Sequence, residues 1–257
     1  MSAYISLPSG YHLVRFDTLD STNDEAKRLA RCGAADGTVV WARTQTAGRG
    51  RRGRIWKSDP GNLFCSVLVD PGCPPAQAMQ LSFVAAVALA DILEARVPRG
   101  ASVECKWPND VLINGRKAAG ILLELVAGNE GGRLVVGIGV NAAHAPDIAD
   151  VPATSLAAEG CSETDPGRLL EALCRRFAHW RGRWSRAGFA PIRAAWLTRA
   201  KGIGAPLTVR LARESFDGTF AGLDDDGALL VAAASGVRRV ASGEVFHPRA
   251  MSRAEGA

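Results

Sequence analysis

Asn114-Gly115 separates two apolar runs, Val111 to Ile113 and Ala118 to Val126. Both residues tolerate positive φ, which a two-residue turn between antiparallel strands demands, so the pair predicts a β-hairpin that turns the chain back on itself. Tyr11 to Phe16, Thr38 to Ala42, Asn62 to Val69, Val103 to Trp107 and Leu134 to Asn141 read as further strands. Ser21-Thr22-Asn23-Asp24-Glu25 leads into Ala26 to Arg31 with Gly33 as a stop, the grammar of a capped helix. Met79, Phe83, Val87 and Leu93 fall near helical spacing and predict one long core-facing helix over Ala76 to Arg96. Asp165 to Trp184 and Pro191 to Arg199 read as helices flanking a sheet, after a proline-containing loop from Ala145 to Pro152.

Beyond Gly202 and Gly204 the pattern changes to short strands, Leu207 to Leu211, Ser215 to Ala221, Ala228 to Val231 and Arg238 to Val240, broken by the turn Asp224-Asp225-Asp226-Gly227. The expected class is α+β, with a large domain over residues 1–204 and a small β-barrel-like domain over 205–257. A length of 257 residues suits that division.

Lysine and arginine number 31 against 26 acidic residues, so the surface attracts anions. No nucleic-acid reading motif accompanies the charge. The six cysteines show no CxxC spacing, which argues against a zinc site or a disulfide framework and for reduced, buried thiols. No basic stretch followed by an apolar one opens the chain, and no uncharged apolar run reaches membrane length, so a cytoplasmic protein without a membrane partner is expected. His12, His144, His179 and His247 stand apart from any nucleophile motif, which makes a hydrolase triad a poor fit.

Four segments carry candidate chemistry. Between Gln45 and Lys57 apolar periodicity disappears, and Gly48 to Arg54 interleaves four arginines with three glycines. The glycines let backbone amides approach a ligand and the guanidinium forks suit phosphate oxygens, although charge alone leaves a hydrated surface loop open. The order is neither that of a Walker A loop nor GxGxxG. Lys106-Trp107-Pro108-Asn109-Asp110 ends a strand in a turn where Lys106 could stabilise charge at a transferring centre. There Asp110 could hold Mg²⁺ or fix the turn, and a snorkelling lysine on a plain turn is the alternative. Ser21, Thr22 and Asn23 offer groups for a polar ring and also a helix cap. Gly137-Ile138-Gly139-Val140-Asn141 leaves room beside its glycines for a flat ligand, or for a close-packed strand crossing.

The order of these segments, STN, QTAGRGRRGRIW, KWPNDVLINGRKAAGILLE, GIGVN and GLDDDGALLV followed by SGEV, resembles the biotin protein ligase family. The resemblance covers Phe16 to Asn141 closely, continues through Ala153 to Leu156 and extends less specifically over the C-terminal region. It implies a class II synthetase-like mixed β-sheet flanked by helices, with a small SH3-like barrel after it. It also implies a reaction in which biotin and Mg-ATP give biotinyl-5′-AMP, from which a lysine of the biotin carboxyl carrier protein of acetyl-CoA carboxylase takes the biotin. By similarity Ser21, Thr22, Asn23, Gln45, Arg49, Arg51, Lys106 and Gly120 line the biotin site, with Trp107 or Ile121 as apolar walls for the valeryl chain. Arg54, Trp56, Lys117 and Asn141 serve ATP and the adenylate. Lys106, Arg51 and Arg49 would be the catalytic cations, and Asp110 the candidate metal ligand. Longer members carry an N-terminal DNA-binding domain; this chain starts too near the catalytic region for one, so no operator binding is expected, while a homodimer is left open. The competing readings are a lipoate or octanoate ligase, and a nucleic-acid-binding regulator.

Overall fold

The structure is a computed structural model that describes residues 5–126, 132–147, 152–161 and 163–247. Parts of the 145–152 loop and of the expected C-terminal domain, from residue 248 on, therefore lie outside the described residues.

The larger sheet contains β1 (His12–Leu19), β2 (Thr38–Gln45), β3 (Leu63–Val69), β4 (Val103–Lys106), β5 (Asp110–Ile113), β6 (Arg116–Leu125) and β7 (Leu134–Val140). Their order is β1-β2-β3-β7-β6-β5-β4. Only β1 and β2 run parallel, joined through helix α1 (Thr22–Arg31); the other neighbours are antiparallel, which makes the sheet mixed as the resemblance implies. Asn114 and Gly115 take φ values of 50° and 73°, the left-handed pair that the hairpin between β5 and β6 requires.

Alternation along β6 and β7 divides the two faces of this sheet. Ile121, Leu134, Val136 and Ile138 point into a core built with α3 (Leu81–Glu94) and α4 (Pro166–Ala187), whereas Val126 and Val135 pack under α1. Helix α3 is apolar nearly all round because it is enclosed on every side. The segment Pro75–Glu94 has the length and mean hydropathy, 1.6, of a membrane span, yet most of it is buried within the protein as a core helix.

The single helix expected over Ala76 to Arg96 is instead two pieces, α2 (Pro75–Ala78) and α3. At Met79 and Gln80 the backbone tightens into bonds from Gln80 N to Gln77 O and from Phe83 N to Gln80 O, because Gln80 is drawn inward to accept from Trp184 Nε1 at 2.8 Å. Met79 consequently faces outward, 48 % exposed, and is not the core residue its spacing suggests.

Helix α5 (Ala190–Leu197) leads into β8 (Pro206–Arg210), β9 (Ser215–Leu223), β10 (Leu229–Ala233), β11 (Gly236–Val240) and β12 (Glu244–Phe246). These form an antiparallel sheet in the order β11-β10-β9-β8-β12. Among the described residues β11 and β12 do not pair, so the expected barrel is an open five-stranded sheet, and β12 is a strand the sequence pattern did not signal. The two sheets share one core: Phe220 stacks edge-on against Trp196, and Trp107 Nε1 donates to Gly227 O at 3.2 Å.

Candidate active site

The N-terminus of α1 meets the sheet at a polar knot. Ser21 caps the helix, accepting weakly from Asp24 N at 3.5 Å, which leaves Thr22 and Asn23 to face the sheet. Thr22 donates to Gln45 Oε1 through both its backbone N, at 2.8 Å, and its hydroxyl, at 3.1 Å. The Ser66 hydroxyl lies 2.8 Å from Thr22 Oγ1 and 2.6 Å from Asn23 Oδ1, and Asn23 Nδ2 donates to Glu124 at 2.7 Å. Ser66 is fully buried and was not visible as a site residue, because it sits in an otherwise apolar strand.

The glycines of β6 and β7 are already in use. A Cβ at Gly137 would lie 2.1 Å from Asn23 Oδ1, so that glycine makes room for the asparagine. At Gly120 and Gly139, which are register partners, a Cβ would lie 2.9 Å and 2.5 Å from the indole of Trp56. The flat group on this floor is thus the protein's own tryptophan, whose Nε1 is buried without an acceptor among the described residues. Lys117 Nζ stands 5.3 Å from that ring and 2.6 Å from Asp110 Oδ1.

Gly48 to Arg54 folds as a short arm. Trp56 N donates to Gly48 O at 2.9 Å and Gly50 N to Arg54 O at 2.7 Å, while Arg51–Gly53 forms a tight turn with Arg52 at φ 58°. Its arginines have different partners. Both terminal nitrogens of Arg49 grip Asp24, at 2.6 and 2.7 Å, which raises the arginine's pKa and pulls the aspartate's down. Arg52 and Arg54 pair with Glu244 of β12, clasping the arm to the C-terminal sheet. Arg51 is half-buried and reaches the Gly243 carbonyl at 3.5 Å.

Lys106 is half-buried too, 6.0 Å from the centre of the Phe246 ring. Among the described residues neither Arg51 nor Lys106 forms an ion pair, and burial lowers the pKa of both. Two partly desolvated cations that no carboxylate engages directly, although Asp110 and Glu244 lie near enough to act on both, make a receptor for an anion. Arg51 also borders a cavity of about 810 Å³ between the two sheets, lined by Gln80, Phe83, Asn109, Gly227 and Arg239 among others.

The structure brings together most of the residues singled out by sequence, with some reassigned. Asn141 is 2 % exposed and donates its amide to Thr154 O at 3.1 Å, fastening the Ala153 to Leu156 segment to the end of β7. Ile121 and Trp107 are core residues: alternation along β6 turns Ile121 to the face opposite Gly120, and Trp107, in the turn after β4, is drawn to Gly227 O. They line the 810 Å³ cavity instead. Asp110 is matched by Lys117, and no cluster of three metal-ligating side chains exists among the described residues. Ser58 joins the site without any local signal, while Glu124 and Glu244 stand in the KWPNDVLINGRKAAGILLE and SGEV segments without a role attached to them there.

The chain is similar to known proteins along most of its length. The chain is 44 % identical to a biotin–[acetyl-CoA-carboxylase] ligase of Paracoccus denitrificans, over 88 % of this chain and 97 % of that protein. It is 35 % identical to the bifunctional ligase/repressor BirA of Bacillus subtilis, over 92 % of this chain and 74 % of the other. The solved biotin protein ligase from Aquifex aeolicus in complex with biotin and ATP superposes with a TM-score of 0.79 at 27 % identity, covering 93 % of this chain and 99 % of that one. Residues 202–247 match the biotin protein ligase C terminal domain. Residues 7–198 match the biotin/lipoate A/B protein ligase family, and the chain belongs to that family.

Proposed function

We propose that the chain is an ATP-dependent biotin–protein ligase. In the first step a biotin carboxylate oxygen attacks the α-phosphorus of ATP, pyrophosphate leaves and biotinyl-5′-AMP forms. In the second, the neutral ε-amine of an acceptor lysine attacks the acyl carbon, AMP departs and the amine gives up a proton. The observation that carries this reading is the pair of half-buried cations, Lys106 and Arg51, which share Asp110 and Glu244 as nearby charges and form no direct ion pair among the described residues. Two anions, carboxylate and triphosphate, must approach one another, and fixed positive charge in a partly desolvated site offsets their repulsion.

In this assignment Ser21, Thr22, Asn23 and Gln45 shape the end of the site that takes the ureido ring, and Gly120, which lies under the Trp56 indole, borders it. Lys106 and Arg51 act on the reacting carboxylate and phosphate, with Arg49 holding the arm to α1. Arg54, Trp56, Lys117 and Asn141 serve the nucleotide side, Asn141 through the backbone it fastens. Mg²⁺ enters as part of the substrate Mg-ATP: a single carboxylate, Asp110, already balanced by Lys117, suits an ion held chiefly by phosphate oxygens rather than by a protein cage. The name of the Paracoccus relative points to acetyl-CoA carboxylase; the acceptor in this reading is the lysine of its biotin carboxyl carrier protein, met in the cytoplasm. The two domains divide near residue 204.

The deciding experiment is ATP–pyrophosphate exchange with biotin, followed by transfer of labelled biotin to a purified carrier domain. Exchange that responds to lipoate and not to biotin would overturn the reading.

Two further outcomes are expected. Burial lowers the Lys106 pKa, so its charge is lost as pH rises through a value below the ordinary 10.5. The kcat/KM for biotin in the exchange assay should therefore fall on the alkaline side, and Lys106→Arg should move that limb upward. Arg51→Gly removes the arm's tie to Gly243 and one wall of the cavity. Biotinyl-AMP should then escape and label nearby lysines indiscriminately, whereas labelling confined to the carrier domain would count against retention by Arg51.

A further inference from the structure

We propose that Ser58 is a positioning residue that couples the Gln45 end of the site to the arginine arm. The assignment rests on the ligase reading and adds to it a residue outside every motif described above. Thr22 donates twice to Gln45 Oε1, which fixes the amide so that its Nε2 points the other way, to Ser58 Oγ at 2.9 Å. Ser58 Oγ in turn donates to the carbonyl of Trp56 at 2.9 Å. Its hydroxyl is thus committed on both sides, as acceptor from Gln45 and donor to the arm, at a position only 6 % exposed.

The surrounding geometry makes this junction tight. A Cβ at Gly48 would lie 2.5 Å from Ser58 Oγ, 2.6 Å from Trp56 O and 3.0 Å from Gln45 Nε2. Gly48 also accepts from Trp56 N, so both ends of the arm close on the point where Ser58 sits. A continuous chain of hydrogen bonds therefore runs from the first residues of α1, through Gln45 and Ser58, to the backbone of Trp56, whose indole covers Gly120 and Gly139. A ligand that orders Gln45 at one end tightens the arm at the other, because the amide has one orientation that satisfies both Thr22 and Ser58. Without the hydroxyl, Gln45 Nε2 loses its acceptor and the Trp56 carbonyl its donor, leaving Trp56 only its bond to Gly48, and binding at α1 no longer reaches the arm.

The test compares wild-type protein with Ser58→Ala for biotin affinity by calorimetry, pyrophosphate exchange, release of biotinyl-AMP, and trypsin cleavage at the arm arginines with and without biotin and ATP. In Ser58→Ala, biotin should still bind within about threefold of wild type. Biotinyl-AMP release should quicken about tenfold, the scale of one lost buried hydrogen bond, and ligand protection of the arm should disappear. A residue that merely stabilised the loop would change melting while leaving ligand protection in place. Should Ser58→Ala melt below the assay temperature, Ser58→Thr, which keeps the hydroxyl, carries the test: wild-type retention supports the coupling and a leak overturns it. Retention and protection in Ser58→Ala equal to wild type would overturn the Ser58 assignment alone. Absence of biotin-dependent exchange in the wild-type protein would overturn it together with the ligase reading.

Discussion

Lys106→Ala should lower biotin-dependent pyrophosphate exchange by about 10² to 10³-fold, the loss typical when one preorganised charge-stabilising group is removed from an active site. The fold should survive it. Lys106 forms no ion pair among the described residues, and its ammonium is partly desolvated, as its lowered pKa indicates. Taking away a half-buried charge that no carboxylate engages directly relieves a desolvation cost rather than breaking an ion pair, so the urea midpoint should hold or rise slightly. The two readings together are diagnostic. Loss of exchange with an unchanged unfolding curve places Lys106 on the reacting charges, whereas undiminished exchange would remove it from the catalytic machinery. Lys117→Ala behaves differently: it strips Asp110 of its 2.6 Å partner and should cost stability as well as activity.

What was legible in the sequence follows the range of the interactions involved. Asn114-Gly115 and the Ser21 cap are decided within a few residues by φ preference and side-chain reach, and both stand where the pattern puts them. The break between α2 and α3 is not local, because Gln80 is claimed by Trp184, more than a hundred residues on, and no spacing rule contains that bond. The same holds for the arm. Its composition announces an anion-binding loop, yet four arginines of similar appearance divide into three roles. Arg49 goes to Asp24, Arg52 and Arg54 go to Glu244, and Arg51 is left unpaired. Only the fold, by bringing α1 and β12 to opposite sides of the loop, distinguishes them. The glycines of β6 and β7 promised space for a flat group, which is correct in shape, but the sequence could not say that Asn23 and Trp56 would fill it.

That distinction between the glycines yields the second large effect. Gly137→Ala should destabilise the protein by about 2 kcal/mol or more and weaken biotin binding at least tenfold, on the scale of an overpacked site combined with a broken buried hydrogen bond. The new methyl would meet Asn23 Oδ1 at 2.1 Å and Cγ at 2.8 Å. Asn23 cannot swing aside cheaply: it is 5 % exposed, held by Ser66 at one end of its amide and by Glu124 at the other. The strain is therefore passed to the start of α1 and displaces Thr22, which sets Gln45. Gly139→Ala is the informative contrast. Its methyl would approach the Trp56 indole at 2.5 Å, but that ring belongs to the arm and can lift off the floor. Urea unfolding of Gly139→Ala should stay near wild type while adenylate formation falls, since a surface complementary to the indole has been roughened rather than a buried bond broken. Equal destabilisation by the two alanines would mean that the Trp56 arm is as rigidly held as the Asn23 knot, and that closure of the arm is not what the Gly139 position controls.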